Sequence, residues 1–145
     1  MSPKPQEAVR AHVLIVEDND LNRKLAQEIL HLHGYATATA VSGEEAVELA
    51  CRQAFDLILM DIQLPEMDGL EATRLLKSKP PTRDVPVLAV SALARSEDRE
   101  RAMQAGCDGY LTKPYGIKAL VQAIELALSA RRASPDSGLA SSQAS

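Results

Sequence analysis

At 145 residues the chain is one domain of ordinary size, long enough to bury a real core. Sixteen Lys and Arg against twenty Asp and Glu give a formal net charge of -4, with the basic residues scattered; this argues against nucleic acid as a direct partner and means that any bound anion must be held locally. Cys51 and Cys107 lie far apart without C-x-x-C spacing, and no apolar run reaches signal-peptide or membrane-span length, so the chain reads as cytoplasmic with two buried thiols.

Residues 1–11 carry two prolines among polar neighbours and read as a flexible leader. His12-Val13-Leu14-Ile15-Val16 is an apolar run of the kind buried on both faces of a parallel sheet, and it ends in Glu17 and Asp18. Asn19 or Asp20 caps a helix whose apolar positions Leu21, Leu25, Ile29 and Leu32 predict its inner face, with Gly34 placed to end it. Tyr35 to Ala40 predicts a second strand. Ser42 and Glu45 form a capping box opening a second helix with Ala46, Val47 and Ala50 on one side.

The run Leu57-Ile58-Leu59-Met60 predicts a third, central strand, and Asp61 stands right after it. Pro65 to Gly69 is turn material, and a third helix is predicted from about Leu70 to Lys77, before Pro80-Pro81. Val85 to Val90 reads as the fourth strand, with Ser91 just past its end; Ser96 can cap a polar fourth helix that Gly106 stops. Gly109 to Thr112 is the fifth strand and leads to Lys113-Pro114. The last helix shows the stripe Ile117, Leu120, Val121, Ile124 and Leu128. From about residue 132 the chain is Ser, Ala, Pro and Gly and reads as a disordered tail. Five strands alternating with five helices predict an α/β fold with a doubly wound parallel sheet.

In such sheets ligands sit outside the carboxyl ends of the strands. There the strand ends deliver Glu17 and Asp18, Asp61, Ser91 and Lys113. Two bare carboxylates about 4 Å apart repel by roughly 4 kcal/mol at an effective dielectric of 20, so the cluster invites a divalent cation. Oxygen ligands without His or Cys select Mg²⁺ over zinc. A hard cation, an exposed Asp, a hydroxyl and an amine suit phosphoryl transfer to Asp61 as an aspartyl-phosphate, with Lys113 on the equatorial oxygens. Each residue also has a plainer reading: Asp61 as a turn cap before Leu64-Pro65, Glu17 and Asp18 as helix caps, Ser91 as a turn hydroxyl and Lys113 as a solvated charge.

The motifs VLIVEDND, LILMDIQLPEMDG, VLAVSALA and GYLTKP, in this order and spacing, resemble the receiver domain of two-component response regulators over about residues 12–131. The resemblance implies a flavodoxin-like sheet of strand order 2-1-3-4-5. It implies that Asp61 accepts phosphate from a histidine kinase or histidine phosphotransfer protein in a phosphorelay. It implies Mg²⁺ on Asp18, Asp61 and the backbone carbonyl of Gln63, with Glu17 acting through water. Ser91 resembles the hydroxyl residue that bonds the phosphoryl group, Ala92 the small residue that leaves room for it, and Lys113 the lysine joined to Pro114, usually by a cis bond. Tyr110 stands at the switch aromatic, with a partly buried strand-edge ring as its plainer reading. Gln63 and Leu93 stand where the family tunes phosphoryl lifetime, and Glu17 replaces the Asp of many members. The implied switch presents the fourth helix, fifth strand and fifth helix to a downstream target.

The segments EDNDLN and MDIQLPEMDG look like single-domain cell-cycle regulators of the DivK type and like receivers of hybrid histidine kinases; with an initiator-like Met1 and a polar tail the stand-alone reading is preferred. The expectation is a signalling domain that catalyses only its own phosphorylation and dephosphorylation. An aspartyl-nucleophile phosphatase would want a second Asp where Gln63 stands. A flavin or dinucleotide carrier would want a phosphate loop where the acids stand. A docking module that is never phosphorylated would not need the full rim.

Overall fold

A computed structural model describes residues 9–64 and 66–133; the start of the predicted leader, Pro65 and the predicted tail from residue 134 lie outside them. Ten elements alternate: β1 (His12–Val16), α1 (Asp20–Leu32), β2 (Ala36–Ala40), α2 (Gly43–Arg52), β3 (Leu57–Asp61), α3 (Gly69–Ser78), β4 (Val87–Ser91), α4 (Ser96–Ala105), β5 (Gly109–Thr112) and α5 (Ile117–Ala133). All strand pairs are parallel and the order is β2-β1-β3-β4-β5. The order reverses between β1 and β3, which opens a crevice at their carboxyl ends.

The unbroken apolar runs of β1, β3 and β4 follow from burial on both faces. Alternate side chains feed two separate cores. Leu14, Val16, Ile58, Met60, Val87 and Ala89 pack with Ala46, Ala72, Leu76 and Ala102 on the α2, α3 and α4 side. Val13, Ile15, Leu57, Leu59, Leu88 and Val90 pack with Ala26, Leu30, Leu120 and Ile124 beneath α1 and α5. The edge strands β2 and β5 are only half-buried for most of their length, as their mixed compositions require.

The helix ends follow local chemistry. The Asn19 side chain accepts from the Asn22 N–H at 2.9 Å, Ser42 Oγ from Glu45 N–H at 3.1 Å, and Asp68 from Glu71 N–H at 2.9 Å. Gly34 and Gly106 follow α1 and α4 with φ of +89° and +110°, a region open to glycine. At the start of α3, a Cβ on Gly69 would lie 2.4 Å from the Asp61 carbonyl oxygen. Only glycine lets α3 begin against the end of β3.

Several expectations are corrected. The inner face of α1 is Ala26 and Leu30; Leu21, Leu25 and Leu32 point outward, at 67%, 48% and 84% exposure, and Ile29 is only half-buried. The first turn of α1 passes beside the acidic rim, where the inward position is polar Asn22 and close approach needs small Ala26, so the leucine repeat lies on the opposite side. Ile117 is likewise exposed, because α5 settles only from Leu120 onward. The ladder of β4 starts at Val87, two residues late: Pro86 has no N–H, although its carbonyl still accepts from Ile58. Ser91 is the last residue of that strand rather than past it, as Asp61 is of β3. Ser96 is the first residue of α4, and its predecessor Arg95 holds the cap position, where the buried Asp98 carboxylate accepts the Arg95 N–H at 3.3 Å. Tyr35 precedes β2, its N–H turned back to Leu30. Cys107 is buried, but Cys51, on the outer side of α2, is exposed.

Candidate functional site

The carboxyl ends of β1, β3, β4 and β5 bring Glu17, Asp61, Ser91 and Lys113 to one rim. The central strand puts Asp61 between β1 and β4. The Lys113 ammonium donates to Glu17 Oε1 at 3.0 Å and to Asp61 Oδ2 at 3.2 Å, tying the fifth strand to the first and third. The other Asp61 oxygen accepts from the Gln63 N–H at 2.9 Å. Lys113 and Pro114 are joined by a cis peptide bond.

The expectation of an exposed Asp61 is corrected: the residue is 4% accessible, because neighbouring strands, Lys113 and the turn at Gln63 cover it. Glu17 is also buried, while Asp18 is exposed and marks the open side of the cluster. Oxygen atoms of Glu17, Asp18 and Asp61 all lie within 4.8 Å of one another. Three carboxylates face one ammonium, so the group carries a net charge of about -2 when ionised, which a divalent ion would neutralise. The donor set is all hard oxygen, which fits Mg²⁺.

The two members of the ion pair shift for different reasons. Burial pushes the Glu17 carboxyl up, against the bond from Lys113. For Lys113 burial acts downward, but the bond to Glu17 and the charge of Asp61 outweigh it and hold the ammonium above the ordinary lysine range. Lys113 keeps its proton because two carboxylates share a single cation.

Ser91 is fully buried. Its Oγ accepts the Leu93 N–H at 3.0 Å and donates to the side-chain carbonyl of Gln63 at 3.3 Å, which also accepts the Ala92 N–H at 2.9 Å. The half-buried Tyr110 hydroxyl donates to the Leu93 carbonyl at 2.7 Å, and the Arg99 guanidinium stacks over its ring at 5.1 Å. Every residue named from the sequence is thus in or next to one connected rim.

Three neighbours escaped sequence reasoning. Asn22 and Tyr115 line a small cavity of about 10 Å³ with Glu17 and Asp61. Burial, then the Glu17 carboxylate, raise the Tyr115 hydroxyl. Arg23 donates to the Glu17 carbonyl at 3.1 Å. The position of Tyr115 directly after the Lys113-Pro114 bend was the available clue; Asn22 and Arg23 read only as polar helix positions.

Residues 13–125 match the response regulator receiver domain family. The polar-differentiation response regulator DivK of Brucella ovis is 47% identical over 113 residues, which are 78% of this chain and 92% of that protein. Among solved structures, the receiver domain of a sensor histidine kinase from Pseudomonas aeruginosa, with magnesium coordinated in its active-site cleft, is 37% identical with a TM-score of 0.77, covering 82% of this chain and 98% of that one. The chemotaxis protein CheY4 of Vibrio cholerae superposes with a TM-score of 0.78 at 27% identity, covering 81% of this chain and 98% of that one.

Proposed function

The chain belongs to the response regulator receiver domain family, a family of signalling domains of two-component systems rather than a classical enzyme family, and on that premise we propose that Asp61 is its phosphoacceptor. The carrying observation is the triangle of Lys113 with Glu17 and Asp61, closed by Asp18 within metal-ligand reach.

In the proposed step an Asp61 carboxylate oxygen attacks the phosphorus of a phosphohistidine; the P–N bond breaks and the imidazole nitrogen leaves with the electron pair and takes up a proton. Lys113 sits where it can balance charge on the transferred oxygens, and the Ser91 hydroxyl and Ala92 N–H are the donors next along the rim. Asp18, Asp61 and the Gln63 carbonyl would hold Mg²⁺, with Glu17 acting through water. When bound, that ion supplies charge neutralisation between acceptor and phosphoryl oxygens. The domain would catalyse only its own phosphorylation and dephosphorylation.

The donor would be a histidine kinase or histidine phosphotransfer protein. The outward leucines Leu21 and Leu25, on the helix whose first turn flanks the rim, suit an apolar helical surface carrying that histidine. The product would act through α4, β5 and α5, where the linked Leu93, Tyr110 and Arg99 report the state of the rim. Residues 12–131 would be the working unit, with 1–11 and 132–145 as appendages, in a cytoplasmic setting; among the described residues no helix is long and apolar enough to cross a membrane.

The test is incubation with acetyl phosphate and Mg²⁺, followed by intact mass and peptide mapping. One phosphoryl group is expected, on Asp61, and none in Asp61→Asn. Label retained by Asp61→Asn at the parent level would refute the assignment.

A further inference from the structure

We infer that the Gln63 carboxamide is an internal latch, seated where a phosphoryl oxygen would sit and competing with it for the Ser91 hydroxyl and the Ala92 N–H. This rests on the phosphoacceptor reading above and adds a regulatory role to the same rim. The Gln63 side-chain oxygen accepts from Ala92 N–H at 2.9 Å and from Ser91 Oγ at 3.3 Å. Ser91 ends β4 and Ala92 opens the β4–α4 turn, so both donors stand at the rim beside the end of β3. A single acceptor oxygen from the turn after Asp61 therefore already satisfies both. The Gln63 backbone N–H is meanwhile bonded to Asp61 itself at 2.9 Å, so the latch is anchored on the residue whose product it would oppose.

The same bond holds the β4–α4 turn toward the rim. Ser91 Oγ accepts the Leu93 N–H, and the Leu93 carbonyl accepts from the hydroxyl of Tyr110, whose ring Arg99 stacks over. A continuous path thus runs from Gln63 to the outer face of α4 and β5. Phosphorylation exchanges one acceptor for another on that path. The latch lowers the gain from phosphorylation and keeps the turn close to its bonded arrangement beforehand.

The test uses full-length, ¹⁵N-labelled protein with Mg²⁺ and beryllofluoride, a tetrahedral phosphoryl analogue, followed by NMR. Without beryllofluoride, Gln63→Ala is expected to speed hydrogen exchange at the Ala92 amide. Both Gln63→Ala and Gln63→Asn are expected to bind beryllofluoride about two- to tenfold tighter than the parent, the span that one exchanged hydrogen bond supplies. Asn keeps an amide near the site but is one methylene too short to hold the Ala92 N–H, so it separates a latch from a helpful contact to the bound group. Unchanged or weaker binding in both variants, or an Ala92 amide no less protected, overturns the latch. If no form takes up beryllofluoride while the Ala92 amide still responds to Gln63 replacement, the phosphoacceptor reading is what fails, and the competition fails with it.

Discussion

Lys113 is the residue on which the rim's electrostatics turn. Among the described residues it is the one cation bonded to both buried acids of the rim, Glu17 and Asp61, and its side chain is 23% exposed. Lys113→Gln leaves two carboxylates without their charged donor, which costs about 1–3 kcal/mol when such groups are buried. The variant should therefore melt at lower temperature in metal-free buffer, and Mg²⁺ should recover more of the loss than it adds to the parent, because no ammonium competes for the same oxygens. The pH dependence has a sign. Burial already raises Glu17; with Lys113 gone the native carboxyl binds its proton still more tightly than the unfolded chain does, so acid favours the native form. The deficit should shrink between pH 7 and pH 5 in thermal melts, and a deficit that grows would mean that the lysine is not what steadies these acids. Asp61, Glu17, Asp18 and Lys113 were legible because each stands at the carboxyl end of a strand run. The contacts of the Gln63 side chain with Ser91 and Ala92 were not, since a glutamine in a turn gives no sign of which neighbouring donors it will meet.

At the scale of elements, α1 separates what pattern reveals from what it hides. A leucine repeat at helical spacing was legible, and the helix is there; the side facing the sheet was not, because periodicity gives a stripe without saying whether a core or a partner covers it. Buried Ala26 and Leu30 lie on the sheet side and Leu21, Leu25 and Leu32 on the other. Two substitutions therefore have opposite consequences. Leu30→Ala should cost about 2–5 kcal/mol, as a fully buried leucine does. Leu25→Arg should change stability by no more than about 0.5 kcal/mol, while slowing phosphotransfer from a histidine-bearing protein and leaving labelling by acetyl phosphate at the parent rate. Chemical denaturation and the two phosphodonors, run side by side, check both. Equal slowing with both donors would mean that α1 serves the rim itself and not the docking of the donor. The same blindness of pattern to context explains Ile117, exposed at the head of an otherwise buried stripe.

Across the whole molecule, the doubly wound parallel sheet was legible in the alternation of elements, since consecutive parallel strands need helical crossovers and those crossovers fall on both faces, whereas the strand order was implied by the family motifs alone. The resulting design has two apolar cores that share nothing but the sheet. Whether they open together can be read at Cys107, buried in the core under α2, α3 and α4 and pushed up to about 11 by burial. Its ordinary value is 9.0, so the native state holds the thiol proton more tightly than the unfolded chain; its contribution is intact below about pH 9 and is lost as pH rises toward 11. Below that window the thiol is both covered and neutral, whereas Cys51 is exposed. Iodoacetamide at pH 8 should therefore alkylate Cys51 readily and Cys107 only through opening. Leu30 lies across the sheet from Cys107, in the other core. If the five strands make one cooperative unit, Leu30→Ala should speed Cys107 alkylation by the full factor of its stability loss, about thirtyfold for 2 kcal/mol, with Cys51 unaffected. A Cys107 rate that ignores Leu30→Ala would mean that the α2–α4 side opens by itself, and that a signal at the rim can loosen one face of the sheet without the other.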